Sequence, residues 1–167
     1  MDVPATAARL ERELGLEAGV VGNAVRRAPF ASCLHPGALE VVAHLATLGR
    51  TVVLSDGETT FQQLKIEAAG IEAAVEGRVM ITLHKEDELD EVRRRFPARH
   101  YALIDDRVGI LARVKAQLGP QVTTVLVRQG RYADELDAAD VTAPDLVVTP
   151  LAELLEFDRS MLMRGAR

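Results

Sequence analysis

The chain has 167 residues, of which 48% are hydrophobic and 27% are charged, and its formal net charge is −5. This length fits one domain, and the composition is ordinary for a soluble globular protein. The acidic balance argues against a general nucleic-acid-binding protein, which normally carries a basic surface. Since Cys33 is the single cysteine, an intrachain disulfide and a multi-cysteine metal site are excluded.

Membrane signals are lacking in the sequence. No apolar run approaches the roughly 20 residues that a membrane-spanning helix requires. The first residues contain no apolar segment of the kind found in signal peptides. We therefore expect a cytoplasmic protein without a membrane partner or a nucleic-acid partner.

The first fifty residues have a helical pattern. Ala7–Leu14 is predicted to be one helix and His35–Leu48 a second, with Pro36 in its first turn. Residues 15–30 between them fit no single pattern.

From Thr51 onward, β-rich runs alternate with amphipathic stretches. Strands are predicted at residues 51–55, 78–83, 101–104, 122–127 and 145–149. Helices are predicted at residues 59–69, 86–95 and 108–118, and a last one runs from Pro150 through Leu155. This alternation implies right-handed crossovers. The predicted fold is therefore α/β, a Rossmann-like three-layer parallel sheet with helices on both faces.

Polar side chains stand where three successive strands end. Ser55 ends the first strand, Lys85 follows the second, and Asp105 and Asp106 end the third. Each has an ordinary interpretation alone, such as a turn, an exposed lysine or a helix cap. In a parallel sheet, however, they share the rim where ligands bind. A hydroxyl and an ammonium suit a phosphoryl group, and a carboxylate pair suits Mg²⁺.

The order of these groups resembles the motifs of the haloacid dehalogenase-like (HAD) hydrolase superfamily. Val52–Gly57 resembles its second motif, Lys85 falls where its third motif has a lysine, and Tyr101–Asp106 resembles its fourth motif. Two further stretches, Leu34–Leu39 and Arg128–Gly130 with Tyr132, resemble flanking segments of the family. The resemblance extends from about Pro29 to Phe157.

Several expectations follow from the resemblance. It implies a phosphatase-type, Mg²⁺-dependent hydrolase of a small phosphorylated molecule, with an HAD-like core at residues 34–167 and a reduced helical cap at residues 1–33. It implies that Ser55 and Lys85 are catalytic and that Asp105 and Asp106 bind the metal. The implied phosphate-binding residues are Ser55, Asp56, Gly57 and Lys85.

The first motif of the family is not recognisable. That motif is an apolar strand followed by Asp-x-Asp-x-Thr, and its first aspartate is the nucleophile. Asp2–Thr6 has similar spacing, but Pro4 replaces the second aspartate and no apolar strand precedes it. In the family this strand lies between those of the second and fourth motifs. Three explanations are open: the strand is encoded upstream of this sequence, Gly19–Val21 replaces it, or a partner chain donates one. A homo-oligomer is the alternative expectation for partners.

Two classes of function therefore remain open. One is an active phosphohydrolase, and the other is a catalytically inactive HAD-like module with a binding or regulatory role. A receiver domain is disfavoured because its acidic pair comes first and its lysine last. A dinucleotide-binding domain is disfavoured because no G-x-G-x-x-G follows the first strand.

Overall fold

The computed structural model describes residues 3–130, 132 and 143–166. In chain order its α-helices are α1 (Val3–Leu14), α2 (Val20–Arg26), α3 (Ala38–Leu48), α4 (Thr59–Ala68), α5 (Ile71–Ala74), α6 (Leu89–Arg95) and α7 (Val108–Leu118). Its strands are β1 (Val53–Asp56), β2 (Val79–Thr82), β3 (Tyr101–Asp105), β4 (Val122–Val127) and β5 (Leu146–Val148). Short 3₁₀ helices lie at Phe30–Cys33, Lys85–Asp87, Gly119–Gln121, Leu151–Glu156 and Met161–Ala166.

The chain divides into two compact units. The first contains Met1–Leu34 and Val52–Lys85, and the second contains His35–Thr51 and Glu86–Arg167. All strand pairs are parallel, so the predicted α/β fold is confirmed. The division into a cap at residues 1–33 and a core at residues 34–167 stays a prediction.

In the first unit, β1 and β2 form a parallel pair, with Val53 opposite Val79. Helix α4 follows β1 and packs against β2. It begins after Glu58, whose carboxylate accepts hydrogen bonds from the backbone N–H groups of Thr60 and Phe61 at 2.9 and 2.8 Å. This capping satisfies donors that a helix start otherwise leaves without partners.

Helices α1 and α2 are joined by a side-chain cap. Glu11 of α1 is buried, and its carboxylate accepts N–H bonds from Gly19 and Val21, each at 2.9 Å. The bond from Gly19 contributes most to holding the pKa of Glu11 below its ordinary value, although burial raises it. The suggestion that Gly19–Val21 replaces the first-motif strand is wrong, because these residues begin α2 instead.

The second unit has three layers around a parallel sheet of order β3–β4–β5. Every residue of β4 is buried, and alternate side chains face opposite layers. Val125 packs in a cluster with Val41 of α3 and with Leu154 of the 3₁₀ helix Leu151–Glu156. Val122 packs in another cluster with Ile110 of α7. Helical elements therefore cover both faces of this sheet, as predicted for the fold.

An ion pair fastens α7 to the strands. Lys115 Nζ donates to Asp145 Oδ2 at 2.8 Å and to the carbonyl of Val122 at 2.9 Å. The backbone N–H and hydroxyl of Thr124 donate to the same carboxylate oxygen at 2.8 and 2.9 Å. Burial raises the pKa of Asp145, but the hydrogen bonds from Lys115 and Thr124 outweigh it and hold that pKa below its ordinary value.

Several helix boundaries differ from the prediction. Helix α1 begins at Val3 rather than Ala7, and α4 ends at Ala68 rather than Ala69. Helix α3 begins at Ala38, and Pro36 lies before it, because Gly37 adopts a left-handed φ of 80° that an α-helix does not admit. Residues 86–95 form the 3₁₀ helix Lys85–Asp87 and then α6.

The last predicted helix is also a 3₁₀ helix, Leu151–Glu156. With three residues per turn, Leu151, Leu154 and Phe157 lie along one side, and all three pack in the same apolar cluster. Over the part of the chain that is described, no helix is long and apolar enough to cross a membrane.

Candidate functional site

The polar residues predicted at the strand ends fall into two groups, one in each unit. Ser55, Asp56, Gly57 and Lys85 belong to the first unit, at the ends of β1 and β2. The parallel register, with Ser55 opposite Ile81, makes the two strands end side by side. Asp105 and Asp106 end β3 in the second unit.

Gly57 turns the chain at the end of β1. Its N–H donates to the carbonyl of Thr82 at 2.8 Å, which extends the pairing of β1 with β2 by one bond. Its φ of 142° lies in the region that favours glycine. A Cβ atom at this position would lie 2.5 Å from Nε2 of Gln62, closer than such contacts allow. The turn therefore requires glycine.

Asp56 fixes the backbone of Lys85. Its Oδ1 accepts the N–H of Lys85 at 2.7 Å, a short charge-assisted hydrogen bond across the two strand ends. Lys85 itself begins a 3₁₀ helix and is half-buried. The structure thus brings Ser55, Asp56, Gly57 and Lys85 together, whereas their phosphate-binding and catalytic roles stay predictions.

Sequence reasoning missed Gln62, which contacts the end of β1. The Ser55 hydroxyl donates to Gln62 Oε1 at 3.3 Å, and Gln62 Nε2 donates to the carbonyl of Asp56 at 2.9 Å. A signal was available, since Gln62 lies in the first turn of the helix that directly follows a candidate site strand.

In the second unit the acidic pair borders an open cavity of about 280 Å³. Asp105 Oδ1 accepts the backbone N–H of Arg107 at 2.9 Å, which shapes the turn into α7. His35 and Gln129 also contribute to the wall, together with three apolar side chains.

The segment after β4 forms another side of this cavity. Gln129 Oε1 accepts the N–H of Leu151 at 2.9 Å, which fixes the start of the following 3₁₀ helix. A Cβ atom at Gly130 would lie 3.5 Å from Nε2 of His35. The ring of Tyr132 lies under the Arg107 guanidinium, 5.7 Å from it. Of the segment Arg128–Gly130 with Tyr132, Gln129 therefore lies on the wall of the cavity that the acidic pair also lines.

The acidic pair is a chemically reasonable place for a metal ion. Mg²⁺ is commonly held by one or two carboxylates, with water and phosphate oxygens as its other ligands. Across the described ranges, no group of three or more His, Cys, Asp or Glu side chains is arranged to hold a metal. Asp105 and Asp106 would thus supply a partial ligand set. Asp2, the weak candidate for a nucleophile, lies outside the described residues.

In α/β proteins ligands bind outside the carboxyl ends of parallel strands, which is where the polar residues of each unit lie. No family model matches the chain, and no curated protein matches it. A crystal structure of a protein from Burkholderia xenovorans LB400, described as a haloacid dehalogenase-like hydrolase, is similar with a TM-score of 0.83. The two are 41% identical, over 92% of this chain and 71% of that one. The chain belongs to the haloacid dehalogenase-like hydrolase family.

Proposed function

We propose that this chain is the core of a phosphatase-type, Mg²⁺-dependent hydrolase acting on a small phosphorylated molecule, and that its nucleophile-bearing strand is missing from the chain. Membership of the hydrolase family supports the general activity. Ser55 lies at the end of β1, and the adjacent Asp56 binds the backbone N–H of Lys85 at the end of β2. This arrangement supports a phosphate site. We also propose a cytoplasmic location.

The proposed chemistry divides between the two groups of residues. The hydroxyl of Ser55 donates a hydrogen bond to a phosphoryl oxygen, and the ammonium of Lys85 neutralises the phosphoryl charge. The carboxylate of Asp56 fixes the backbone of Lys85 by accepting its N–H. Gly57 lets the chain turn because it has no Cβ atom to meet Gln62. Asp105 and Asp106 would hold Mg²⁺, an ion that would supply positive charge to phosphate oxygens.

The strand topology is the observation that supports a missing strand. Among the strands of the described residues, β1 pairs with β2 alone and β3 pairs with β4 alone, in two separate sheets. The HAD resemblance assigns the first-motif strand to the position between these two strands. Because Val20 and Val21 are helical, the described N-terminal residues offer no replacement from that segment.

A strand supplied from elsewhere would complete this arrangement. An edge strand presents N–H and C=O groups that another strand can bind. We propose that a separate segment or a partner chain of different sequence donates this strand; a homo-oligomer is a separate proposal for the assembly. No nucleic-acid or membrane partner is required.

The alternative is a binding or regulatory module without turnover. It is favoured by the absence of an Asp-x-Asp-x-Thr motif from the sequence, while the phosphate and metal residues are retained. The two candidates differ in whether a supplied strand produces hydrolysis.

The proposal is tested by fusing an apolar strand that ends in Asp-x-Asp-x-Thr to the N-terminus and measuring Mg²⁺-dependent hydrolysis of an aryl phosphate. Turnover is expected from the fusion, because it supplies the aspartate of the first motif, and it should vanish when that first added aspartate is Asn. A folded fusion that binds phosphate without turnover would favour the regulatory module instead.

Metal binding is measured separately by calorimetric titration of Mg²⁺. Asp106→Asn is expected to weaken Mg²⁺ binding at least roughly tenfold, because a carboxylate ligand is lost. The matched control is Asp90→Asn on α6, whose side chain is fully exposed. Equal Mg²⁺ affinity of the two variants would contradict the assignment of Asp106 as a metal ligand.

A further inference from the structure

Gln62 links the helix after β1 to the strand end that carries Ser55. It is half-buried in the first turn of α4, and its amide contacts both Ser55 and Asp56. We infer that Gln62 is a positioning residue for the Ser55 hydroxyl, and through it for the phosphoryl group of the substrate. This inference rests on the proposed function, which assigns that phosphoryl group to Ser55.

The orientation of the Gln62 amide follows from its two partners. The backbone carbonyl of Asp56 can only accept a hydrogen bond, so the NH₂ group of Gln62 must face it. This leaves the Oε1 atom facing Ser55, and an amide oxygen can only accept. The hydroxyl proton of Ser55 therefore has a defined direction before any ligand binds.

The length of the bond between Ser55 and Gln62 suits a temporary role. At 3.3 Å it is well beyond the usual hydroxyl-to-oxygen distance of about 2.7–2.8 Å, so it is weak. A negatively charged phosphoryl oxygen forms a shorter and stronger hydrogen bond. Losing this weak bond therefore costs little when phosphate binds, and the gain from a Ser55 side chain that is already held in one orientation exceeds that cost.

The backbone around Gln62 is built to admit this side chain. A Cβ atom at Gly57 would lie 2.5 Å from Nε2 and 3.0 Å from Cγ of Gln62, so the amide packs directly against the turn. Asp56 in turn accepts the N–H of Lys85 through its carboxylate. The Gln62 side chain therefore contacts both the Ser55 hydroxyl and the turn at Gly57.

A double-mutant cycle separates positioning of Ser55 from a merely structural role. Gln62→Met keeps the side-chain length and removes both hydrogen bonds. The affinity for inorganic phosphate with Mg²⁺ is measured by calorimetry in the wild type, Gln62→Met, Ser55→Ala and the double variant. We expect Gln62→Met to weaken phosphate binding roughly 3- to 10-fold, the effect of one or two weak hydrogen bonds. In the Ser55→Ala background it should have no further effect.

The neighbouring glutamine provides the matched control. Gln63 lies on the same helix, but its Nε2 donates to Glu67 and Glu72 at 2.8 and 2.9 Å, away from the strand end. Gln63→Met should leave phosphate affinity unchanged. If Gln62→Met proves unfolded by circular dichroism, Gln62→Glu replaces it. That variant keeps an acceptor for Ser55 but turns an anionic oxygen toward the Asp56 carbonyl.

The outcomes distinguish this inference from the function on which it rests. An equal loss of affinity in both backgrounds, or no loss from Gln62→Met, overturns the role of Gln62 while the phosphate site stands. A folded wild-type chain that binds no phosphate overturns the phosphate site itself, and the role of Gln62 with it.

Discussion

At the scale of single residues, the turn at the end of β1 requires the glycine at position 57. Gly57 combines a φ of 142° with a position where any Cβ atom meets the Gln62 side chain. A substitution there has to strain the backbone and displace Gln62 at the same time. A substitution of Gly57 therefore affects both the stability of the turn and the position of Gln62 at the candidate site.

Gly57→Ala is expected to lower the free energy of unfolding by about 1–3 kcal/mol, the usual cost of one strained residue. Urea unfolding measures the change. The matched control is Gly49→Ala, because Gly49 has an extended φ of −176° and nothing lies within 4 Å of its Cβ position. The control should change the free energy of unfolding by less than about 0.5 kcal/mol. Similar losses in both variants would contradict the steric argument at Gly57.

Residue identity alone predicted part of this site. Ser55 and Lys85 stand out because each follows a β-rich run, which is visible in the sequence. The position of Gln62 in the first turn after a site strand is visible in the sequence, but its contact with the strand end is not, because that depends on the distance of its amide from the Asp56 carbonyl. That distance is set by the turn at Gly57 between β1 and α4, which periodicity does not specify.

At the scale of elements, the carboxylate of Asp145 joins α7, β4 and β5. It accepts from Lys115 of α7 and from Thr124 of β4, and it directly precedes β5. These partners are half-buried or buried, so removing the charge leaves Lys115 without its anion. The ion pair therefore stabilises the sheet of the second unit.

Asp145→Asn is expected to reduce the free energy of unfolding by about 1–3 kcal/mol at neutral pH. The folded state lowers the pKa of Asp145, so its contribution is present above the unfolded pKa of ~3.9. That contribution is lost as the pH falls through the folded pKa. Chemical unfolding at pH 7 and at about pH 3 measures the change.

The difference between wild type and Asp145→Asn should therefore shrink at the lower pH. Asp90→Asn is again the matched control, with an exposed side chain and little expected effect at either pH. A difference between wild type and Asp145→Asn that stays constant down to pH 3 would contradict the electrostatic explanation.

At the scale of the whole molecule, the strands differ in how completely they are paired. β4 has a strand on each side, whereas β1 has one partner within the described chain. The N–H groups of Val53 and Gly57 point toward the β2 side, where they donate to Arg78 and Thr82. Because N–H directions alternate along a strand, the N–H of Leu54 points to the other edge.

We therefore expect the amide of Leu54 to exchange with solvent faster than that of Val53, as measured by native-state hydrogen exchange. In the fusion that supplies a first-motif strand, the exchange at Leu54 should slow while that at Val53 changes little. Val125 at the centre of β4 is the internal reference for full protection. Equal protection of Leu54 and Val53 in the present chain would contradict an open edge at β1.

The sequence by itself determined the fold class, the positions of the five strands to within two residues at each end, and the polar residues at the ends of three of them. These depend on local patterns: β-branched runs, turn residues and helix periodicity act over a few neighbouring positions. For the same reason α7 was predicted at its observed bounds, Val108–Leu118.

The tertiary structure alone decided which contacts those elements make. The last helix is a 3₁₀ helix because Leu151, Leu154 and Phe157 pack on one apolar cluster, a requirement that local propensity does not contain. Residues 20–26 are helical because Glu11, in the preceding helix, caps them. Likewise, Gln62 reaches Ser55 because of the turn at Gly57 between β1 and α4. The cluster under the last 3₁₀ helix includes Val41 and Val125, which are distant in sequence. The contacts of Glu11 and Gln62 join residues only 6 to 10 positions apart, but they cross between two elements and depend on how the intervening turn folds.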